Sequence, residues 1–170
     1  MNFLRSKAGR APVSSAMNLI LLVGTMSGTA QSVAQELELR LDDGQVRPVM
    51  KLMDGLDAAV FAPGGVFLLC ISTYGQGDVP DNARALFDSL AATRPDLSRV
   101  RYGLIALGDR TYADTFCFGG KRFDALLTEL GACRIGEPLL HDASQGTMPE
   151  EVAAQWIDGW MAQVREGAPA

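Results

Sequence analysis

The sequence is poor in the residues that most often carry catalysis or metals. It has a single histidine and only three cysteines, namely Cys70, Cys117 and Cys133. One histidine argues against a Ser-His-Asp triad and against a histidine-based metal site. An odd number of cysteines without a C-x-x-C pair is typical of a reducing compartment, so we expect a cytoplasmic protein. We interpret His141 as a surface residue because its neighbours Asp142 and Ser144 are polar.

Positive charge and long apolar runs are also scarce. The chain has 15 basic and 20 acidic side chains, which gives a net charge of −5. This balance argues against nucleic acid as a partner and favours a protein with a basic face. The sequence has no apolar run near the roughly 20 residues that cross a bilayer, so we expect no membrane association.

The first 16 residues differ from the rest because they have three basic residues, no acidic residue and no regular apolar pattern. We expect a disordered tail, or a mis-assigned start with translation beginning at Met17. Residues 17–166 have the length and apolar content of one domain.

The stretch "LVGTMSGTAQ" joins an apolar run to an amphipathic one. A strand ending at Gly24 and a helix beginning near Gly28 leave free backbone N–H groups, which suit a phosphate. The helix start lacks the lysine of a nucleotide triphosphate loop, and no G-x-G-x-x-G follows. We therefore predict a site for one phosphate monoester. The alternative is that Ser27 or Thr25 only caps an ordinary helix.

Strand and helix patterns alternate along the chain. Predicted strands cover Asn18–Gly24, Val46–Leu52, Val66–Ser72, Arg99–Leu107 and Ile135–Leu140. Predicted helices cover Gly28–Leu41, Asp81–Thr93, Gly120–Leu130 and Pro149–Val164, with a small helix or irregular connection over Met53–Gly65. Such alternation predicts an open parallel sheet with helices on both faces and a ligand at the carboxyl ends of its strands.

Two tyrosines follow predicted strands at this same edge. Tyr74 lies in "STYGQGDVPDNA" and Tyr112 in "LGDRTYADTFCFGG". Two rings at one rim are able to sandwich a flat ligand, whereas the simpler alternative is that each is an incidental loop residue. A phosphate monoester joined to a flat ring describes FMN.

These three loops resemble the flavodoxin family, whose motifs T-x-S-G-T-A, S-T-Y-G-x-G-D-x-P-D-N and L-G-D-x-x-Y occur here in order. The chain looks most like its short, MioC-like members and is similar to the FMN domains of sulfite reductase and cytochrome P-450 reductase. The resemblance covers residues 17–164. It implies a doubly wound, five-stranded parallel sheet of order 2-1-3-4-5.

The resemblance also implies the residues that bind FMN. The phosphate would be held by Thr25, Met26, Ser27, Gly28, Thr29 and Ala30. The ring would be contacted by Ser72, Thr73, Tyr74, Gly75, Gln76 and Gly77, and by Leu107, Gly108, Asp109, Tyr112, Phe116 and Cys117. Met26 would lean toward the flavin or toward solvent. We expect Cys117 to be buried or inert rather than redox-active, because it lacks a C-x-x-C partner.

The expected function is one-electron transfer by FMN, with no catalytic side chain and no metal. The implied partners are an NADPH-dependent flavodoxin or ferredoxin reductase with a basic face and an acceptor enzyme such as biotin synthase. The two loops that carry Tyr74 and Tyr112 (residues 72–83 and 107–120) are called the ring loops. Four acids in them would steer that reductase: Asp78, Asp81, Asp109 and Asp114. The alternative is a flavin-dependent quinone reductase on the same fold. A signalling receiver domain is excluded because Thr25 and Ser72 stand where its acidic residues would be.

Overall fold

The computed structural model describes residues 16–74 and 76–167. The predicted tail therefore lies outside the described residues except for Ala16, and Gly75 of the predicted site lies outside them too. Met17 begins the first strand, and its N–H donates to the carbonyl of Gln45 at 2.9 Å.

Strands and helices alternate as the sequence predicts. The strands are β1 (Met17–Gly24), β2 (Val46–Leu52), β3 (Gly65–Ile71), β4 (Val100–Gly108), β5 (Cys133–Arg134) and β6 (Leu139–Asp142). The α-helices are α1 (Thr29–Leu41), α2 (Asp81–Thr93), α3 (Phe118–Glu129) and α4 (Pro149–Glu166). Short 3₁₀ helices cover Ala58–Phe61, Arg110–Thr115 and Ala143–Gln145.

All strand pairs of the sheet are parallel, in the order β2-β1-β3-β4, with β5 and β6 both paired to β4. This confirms the doubly wound order. The fifth position differs from the single predicted strand Ile135–Leu140 because two short strands fill it. Gly136 has φ +69° and Pro138 has no N–H, so the backbone leaves the ladder between them.

Helix α3 begins at Phe118, two residues before the predicted start. Gly119 and Gly120 lie inside the first turn, where they allow close packing. A Cβ on Gly119 would lie 2.4 Å from the carbonyl oxygen of Ser72, and one on Gly120 would lie 2.5 Å from the Cβ of Ala106. These contacts bring α3 against the loop after β3.

The sheet separates two hydrophobic cores, because successive side chains of a strand point to opposite faces. On β3, Phe67, Leu69 and Ile71 pack beneath α2 and α3. Leu68 and Cys70 pack beneath α1 and α4. The strand is therefore buried on both faces, as its continuous apolar run predicts. Among the described residues, no helix is both long and apolar enough to cross a membrane.

Gly103 of β4 lies directly beneath the ring of Trp160 on α4. A Cβ built on this glycine would come within 2.4 Å of the indole, whose Nε1 donates to the carbonyl of Ile135 at 3.0 Å. The indole is 1% exposed, so it has little room to move.

Gly103→Ala should therefore lower the free energy of unfolding, by about 1–3 kcal/mol for an overpacked core. Gly159→Ala is the matched control, because it lies in α4 with no heavy atom within 4 Å of its Cβ. The control should be neutral or stabilising by up to about 1 kcal/mol, since alanine favours helix. Urea unfolding measures both; equal midpoints would contradict the close packing at Gly103.

Candidate functional site

The loop between β1 and α1 is a tight turn held by its own hydrogen bonds. The N–H of Gly28 donates to the Thr25 hydroxyl oxygen at 2.9 Å, and Gly28 has φ +95°. Gly28 is the N-cap of α1, which has no side-chain cap, so the alternative that Ser27 or Thr25 caps the helix is wrong. The hydroxyl oxygens of Ser27 and Thr29 lie 3.4 Å apart at the helix start. Because the sequence predicts a phosphate here, this loop is called the phosphate loop below (residues 25–29).

The side chain of Met26 reaches the start of α2. Its sulfur accepts a hydrogen bond from the N–H of Asp81, the first residue of α2, at 3.3 Å, and its side chain is 44% exposed. The sequence left open whether Met26 leans toward the flavin or toward solvent, and neither orientation includes this contact with α2. The sulfur thus accepts a hydrogen bond from one of the first N–H groups of α2, which have no acceptor within the helix.

The loop after β3 is closed by hydrogen bonds between Tyr74 and Asp78. The N–H of Tyr74 donates to the carbonyl of Asp78 at 3.0 Å, and the N–H of Asp78 returns a bond to Tyr74 at 2.8 Å. The Thr73 hydroxyl accepts from the N–H of Gly119 at 3.1 Å, which ties this turn to the start of α3. The Tyr74 ring is 44% exposed at the rim.

The loop after β4 folds back over the end of that strand. The Asp109 carboxylate accepts from the N–H of Thr111 at 2.8 Å and starts the 3₁₀ helix that carries Tyr112, which is 67% exposed. A Cβ on Gly108 would lie 2.6 Å from the backbone nitrogen of Cys117, so glycine is needed for this approach. Phe116 is buried beneath the Arg110 guanidinium, whose carbon lies 4.2 Å from the ring centroid.

The end of β6 contributes two residues that sequence reasoning missed or misread. His141 is 6% exposed, so its interpretation as a surface residue is wrong; its Nε2 lies 2.9 Å from the Thr147 hydroxyl oxygen. Asp142 is buried and accepts from the N–H groups of Arg110 and Ser144, each at 3.0 Å. The polar neighbours of His141 thus bind one another and the backbone. Asp142 stands at the carboxyl end of a strand, and this position was the signal in the sequence that could have indicated its role.

Cys117 is buried, as expected, and stands at φ +57° just before α3. Burial raises the pKa of its thiol to about 12. Since the thiolate is the reactive form, the thiol is inert at neutral pH. Cys70, Cys117 and Cys133 are all free.

A cavity of about 600 Å³ opens where these loops meet. Eight of the predicted site residues line it: Ser27, Thr29, Ser72, Thr73, Leu107, Gly108, Asp109 and Tyr112. The other predicted residues within the described chain are not part of this lining: Thr25, Met26, Gly28, Ala30, Tyr74, Gln76, Gly77, Phe116 and Cys117. The lining is completed by Thr115, His141, Ala143, Thr147 and Pro149, so the segment after β6 forms a further wall.

The described residues hold no cluster of His, Cys, Asp or Glu that is arranged to bind a metal ion. The residues of the cavity wall instead supply hydroxyls, backbone amides, one carboxyl group, one imidazole and one exposed aromatic ring.

The sequence model of the Flavodoxin family matches residues 21–156. The chain belongs to the flavodoxin family. Flavodoxin YqcA of Escherichia coli (strain K12) is 41% identical over 141 residues, which cover 82% of this chain and 93% of that protein. Protein MioC of the same strain is 34% identical over 147 residues, covering 85% and 96%. The expected likeness to MioC is confirmed, although the identity to YqcA is higher.

Two further comparisons agree with this assignment. The sulfite reductase flavoprotein alpha-component of Bacillus subtilis is 31% identical over 147 residues, which are 86% of this chain and 24% of that longer protein. The solved structure of a cysteine-to-alanine mutant of flavodoxin from Pseudomonas aeruginosa superposes with a TM-score of 0.78 at 33% identity, covering 88% of this chain and 99% of that one.

Flavodoxins are electron-transfer proteins that bind FMN, and FMN is the cofactor of this flavodoxin. The geometry fits the group. A Cβ built on Gly28 has no heavy atom within 4 Å, so the space before the α1 N-terminus is open to a phosphate. In the lining of the cavity, Tyr112 presents a ring of the kind that stacks on a flat heterocycle.

Asp142→Asn tests what holds the loop after β4 in this shape. Hydrogen bonds, first that from the N–H of Arg110, hold the pKa of Asp142 below its usual 3.8. Its contribution to stability is therefore complete above the usual pKa and is lost as the pH falls through the lowered folded value.

At neutral pH the variant should have a lower urea midpoint of unfolding than the parent. This difference between the two midpoints should become smaller below about pH 3.8. Asp88→Asn, at an exposed position of α2, should show little gap at any pH. A gap for Asp142→Asn that stayed constant down to about pH 3 would mean that its charge is irrelevant.

Proposed function

We propose that this flavodoxin carries electrons one at a time between a reductase and an acceptor enzyme in a reducing cytoplasm, and that its FMN lies in the cavity described above. The observation that carries the proposal is the lining of that cavity, which includes Ser27 and Thr29 with their hydroxyls and the exposed Tyr112. These groups match a phosphate monoester and a flat heterocycle.

The phosphate end is assigned to Thr25–Ala30. The first amides of α1 have no acceptor within the helix and lie at its positive end, so they attract a dianion. Ser27 and Thr29 add hydroxyl donors. The loop sequence itself has no lysine or arginine. We therefore propose that backbone amides and hydroxyls bind the phosphate. This agrees with the absence of the lysine that a nucleotide triphosphate loop needs.

The ring end is assigned to the loops after β3 and β4. Ser72, Gly108 and Asp109 line this part of the cavity with backbone groups that glycine and a tight turn bring close to a ligand. Tyr112 would cover one face of the isoalloxazine ring, and Tyr74 lies at the rim of the same edge. The bound cofactor supplies reversible one-electron and two-electron chemistry. The protein positions it, covers its faces and sets its potentials.

The surface around the cavity is suited to brief docking. Five of the large exposed apolar side chains belong to segments at this edge: Met26, Tyr74, Tyr112, Phe118 and Met148. Acidic side chains of the ring loops are interspersed among them, including Asp78, Asp81 and Asp114. Apolar contact area with an acidic surround favours a basic partner that binds quickly and releases quickly. The proposed donor is an NADPH-dependent flavodoxin or ferredoxin reductase, and the acceptor is a biosynthetic enzyme of the biotin synthase kind.

A quinone reductase on the same fold is the second function considered. The relatives reported above are named as flavodoxins or as the flavoprotein component of a reductase, and they do not favour it. We therefore propose the electron carrier alone.

Titration with FMN and with riboflavin, which lacks the phosphate, tests the assignment of the phosphate end. Ser27→Ala should weaken FMN binding about 10- to 100-fold, because a hydrogen bond to a charged acceptor contributes about 1.5–3 kcal/mol. Riboflavin binding should be almost unchanged. Ser32→Ala, one turn later on the exposed side of α1, is the control and should affect neither. Equal losses for both flavins would show that Ser27 does not bind the phosphate.

Stopped-flow reduction by a flavodoxin reductase tests the docking surface. The rate should fall as ionic strength rises through about 0.1 M, where the screening length is about 10 Å. A variant with Asp78, Asp81 and Asp114 changed to Asn should be slower at low salt while keeping its FMN. The control changes three exposed acids elsewhere by the same total charge: Asp42→Asn, Asp88→Asn and Glu166→Gln. If both triple variants slowed equally, net charge rather than this surface would control the encounter.

A further inference from the structure

Asn82, the second residue of α2, joins three separate segments with one side chain. Its Oδ1 accepts a hydrogen bond from the N–H of Thr25 at 2.8 Å. Its Nδ2 donates to the carbonyl of Val23 at 3.2 Å and to the Asp54 carboxylate at 3.1 Å. The segments are the end of β1, the phosphate loop and the turn after β2. They are 28 to 59 residues from Asn82 along the chain.

Neighbouring residues of α2 contact the same part of the molecule. The N–H of Asp81 donates to the sulfur of Met26, and a Cβ on Gly24 would lie only 3.1 Å from the Cβ of Ala83. Three successive residues at the start of α2 therefore touch the phosphate loop or the strand that leads into it. Because α2 follows directly on the loop that carries Tyr74, the two loops are mechanically joined at this point.

The hydrogen bonds form a chain that ends at the phosphate loop's binding groups. The bond from the Thr25 N–H to Asn82 fixes the orientation of Thr25. The Thr25 hydroxyl then accepts from the N–H of Gly28. That bond stabilises the positive φ of Gly28, from which α1 begins and directs its first amides outward.

We propose that Asn82 is a positioning residue that preorganises the phosphate loop for the phosphate of FMN. The proposal rests on the proposed function, since it presumes that residues 25–30 bind the phosphate. Asn82 itself does not line the cavity and acts only through Thr25.

The amide of asparagine is specifically required by the groups around it. The amide oxygen must accept from the Thr25 N–H, and the amide nitrogen must donate to the Val23 carbonyl and to the Asp54 carboxylate. Leucine has a similar volume and supplies neither bond. Aspartate keeps the acceptor, but it places a second negative charge about 3 Å from Asp54, where the two carboxylates repel.

The experiment measures Kd for FMN and riboflavin in parallel by quenching of flavin fluorescence. Asn82→Leu should raise the Kd for FMN about tenfold or more, the equivalent of one or two hydrogen bonds, and that for riboflavin less than about threefold. Asn18→Leu, at an exposed position of β1, is the matched control and should leave both unchanged. A loss of folding alone would weaken both flavins together.

An exchange of the two side chains provides a rescue. Asn82→Asp alone should weaken FMN binding, whereas Asn82→Asp combined with Asp54→Asn restores a donor facing an acceptor at unchanged net charge. The double variant should bind FMN more tightly than Asn82→Asp but less tightly than the parent, because the bond to Val23 is lost and a carboxylate oxygen faces that carbonyl. This arm remains informative if Asn82→Leu does not fold.

The outcomes separate the two proposals. A parent protein that bound FMN no more tightly than riboflavin would refute the phosphate site itself, and with it the role of Asn82. A parent that prefers FMN, together with an Asn82→Leu variant that keeps the same preference, would refute the role of Asn82 alone. Failure of the double variant to improve on Asn82→Asp would also overturn it.

Discussion

The burial of β3 on both faces is the constraint on which the rest of the molecule depends. Residues Phe67–Ile71 are at most 1% exposed, and they supply side chains to both hydrophobic cores. A strand buried in this way needs helices on each side and a parallel partner at each edge, which β1 and β4 provide. Because parallel strands end at the same edge, the loops after β1, β3 and β4 become neighbours there. The cavity between these loops is a consequence of that adjacency.

Each of the three loops is tied to another segment of the chain by a hydrogen bond. Asn82 holds the phosphate loop, the Thr73 hydroxyl ties the ring loop to α3, and Asp142 holds the loop after β4. Each such bond contributes only about 1 kcal/mol net, but an unsatisfied buried amide costs about 1–3 kcal/mol. Hydrogen bonds that hold a loop in one shape before a ligand arrives reduce the entropy that binding costs.

Much of the fold follows from local patterns. The buried run Val66–Ser72 predicted the central strand, and the alternation of elements predicted the open parallel sheet. The division of the fifth strand was missed because the effect of Gly136 and Pro138 depends on which ladder they interrupt. His141 was misread for a related reason, since the polarity of its neighbours says nothing about whether they bind solvent or the backbone.

The sequence by itself determined the kind of site, because the hydroxyls and Gly28 of one loop and the tyrosines of two others are local signals of a phosphate and a flat ring. Only the tertiary structure decided which groups stay free to bind. Thr25 uses its N–H to bind Asn82 and its hydroxyl to bind Gly28, whereas Ser27 and Thr29 line the cavity. Hydrogen bonds between residues more than about 50 positions apart leave no periodic trace in the chain, since they arise when packing brings distant backbone groups within about 3 Å.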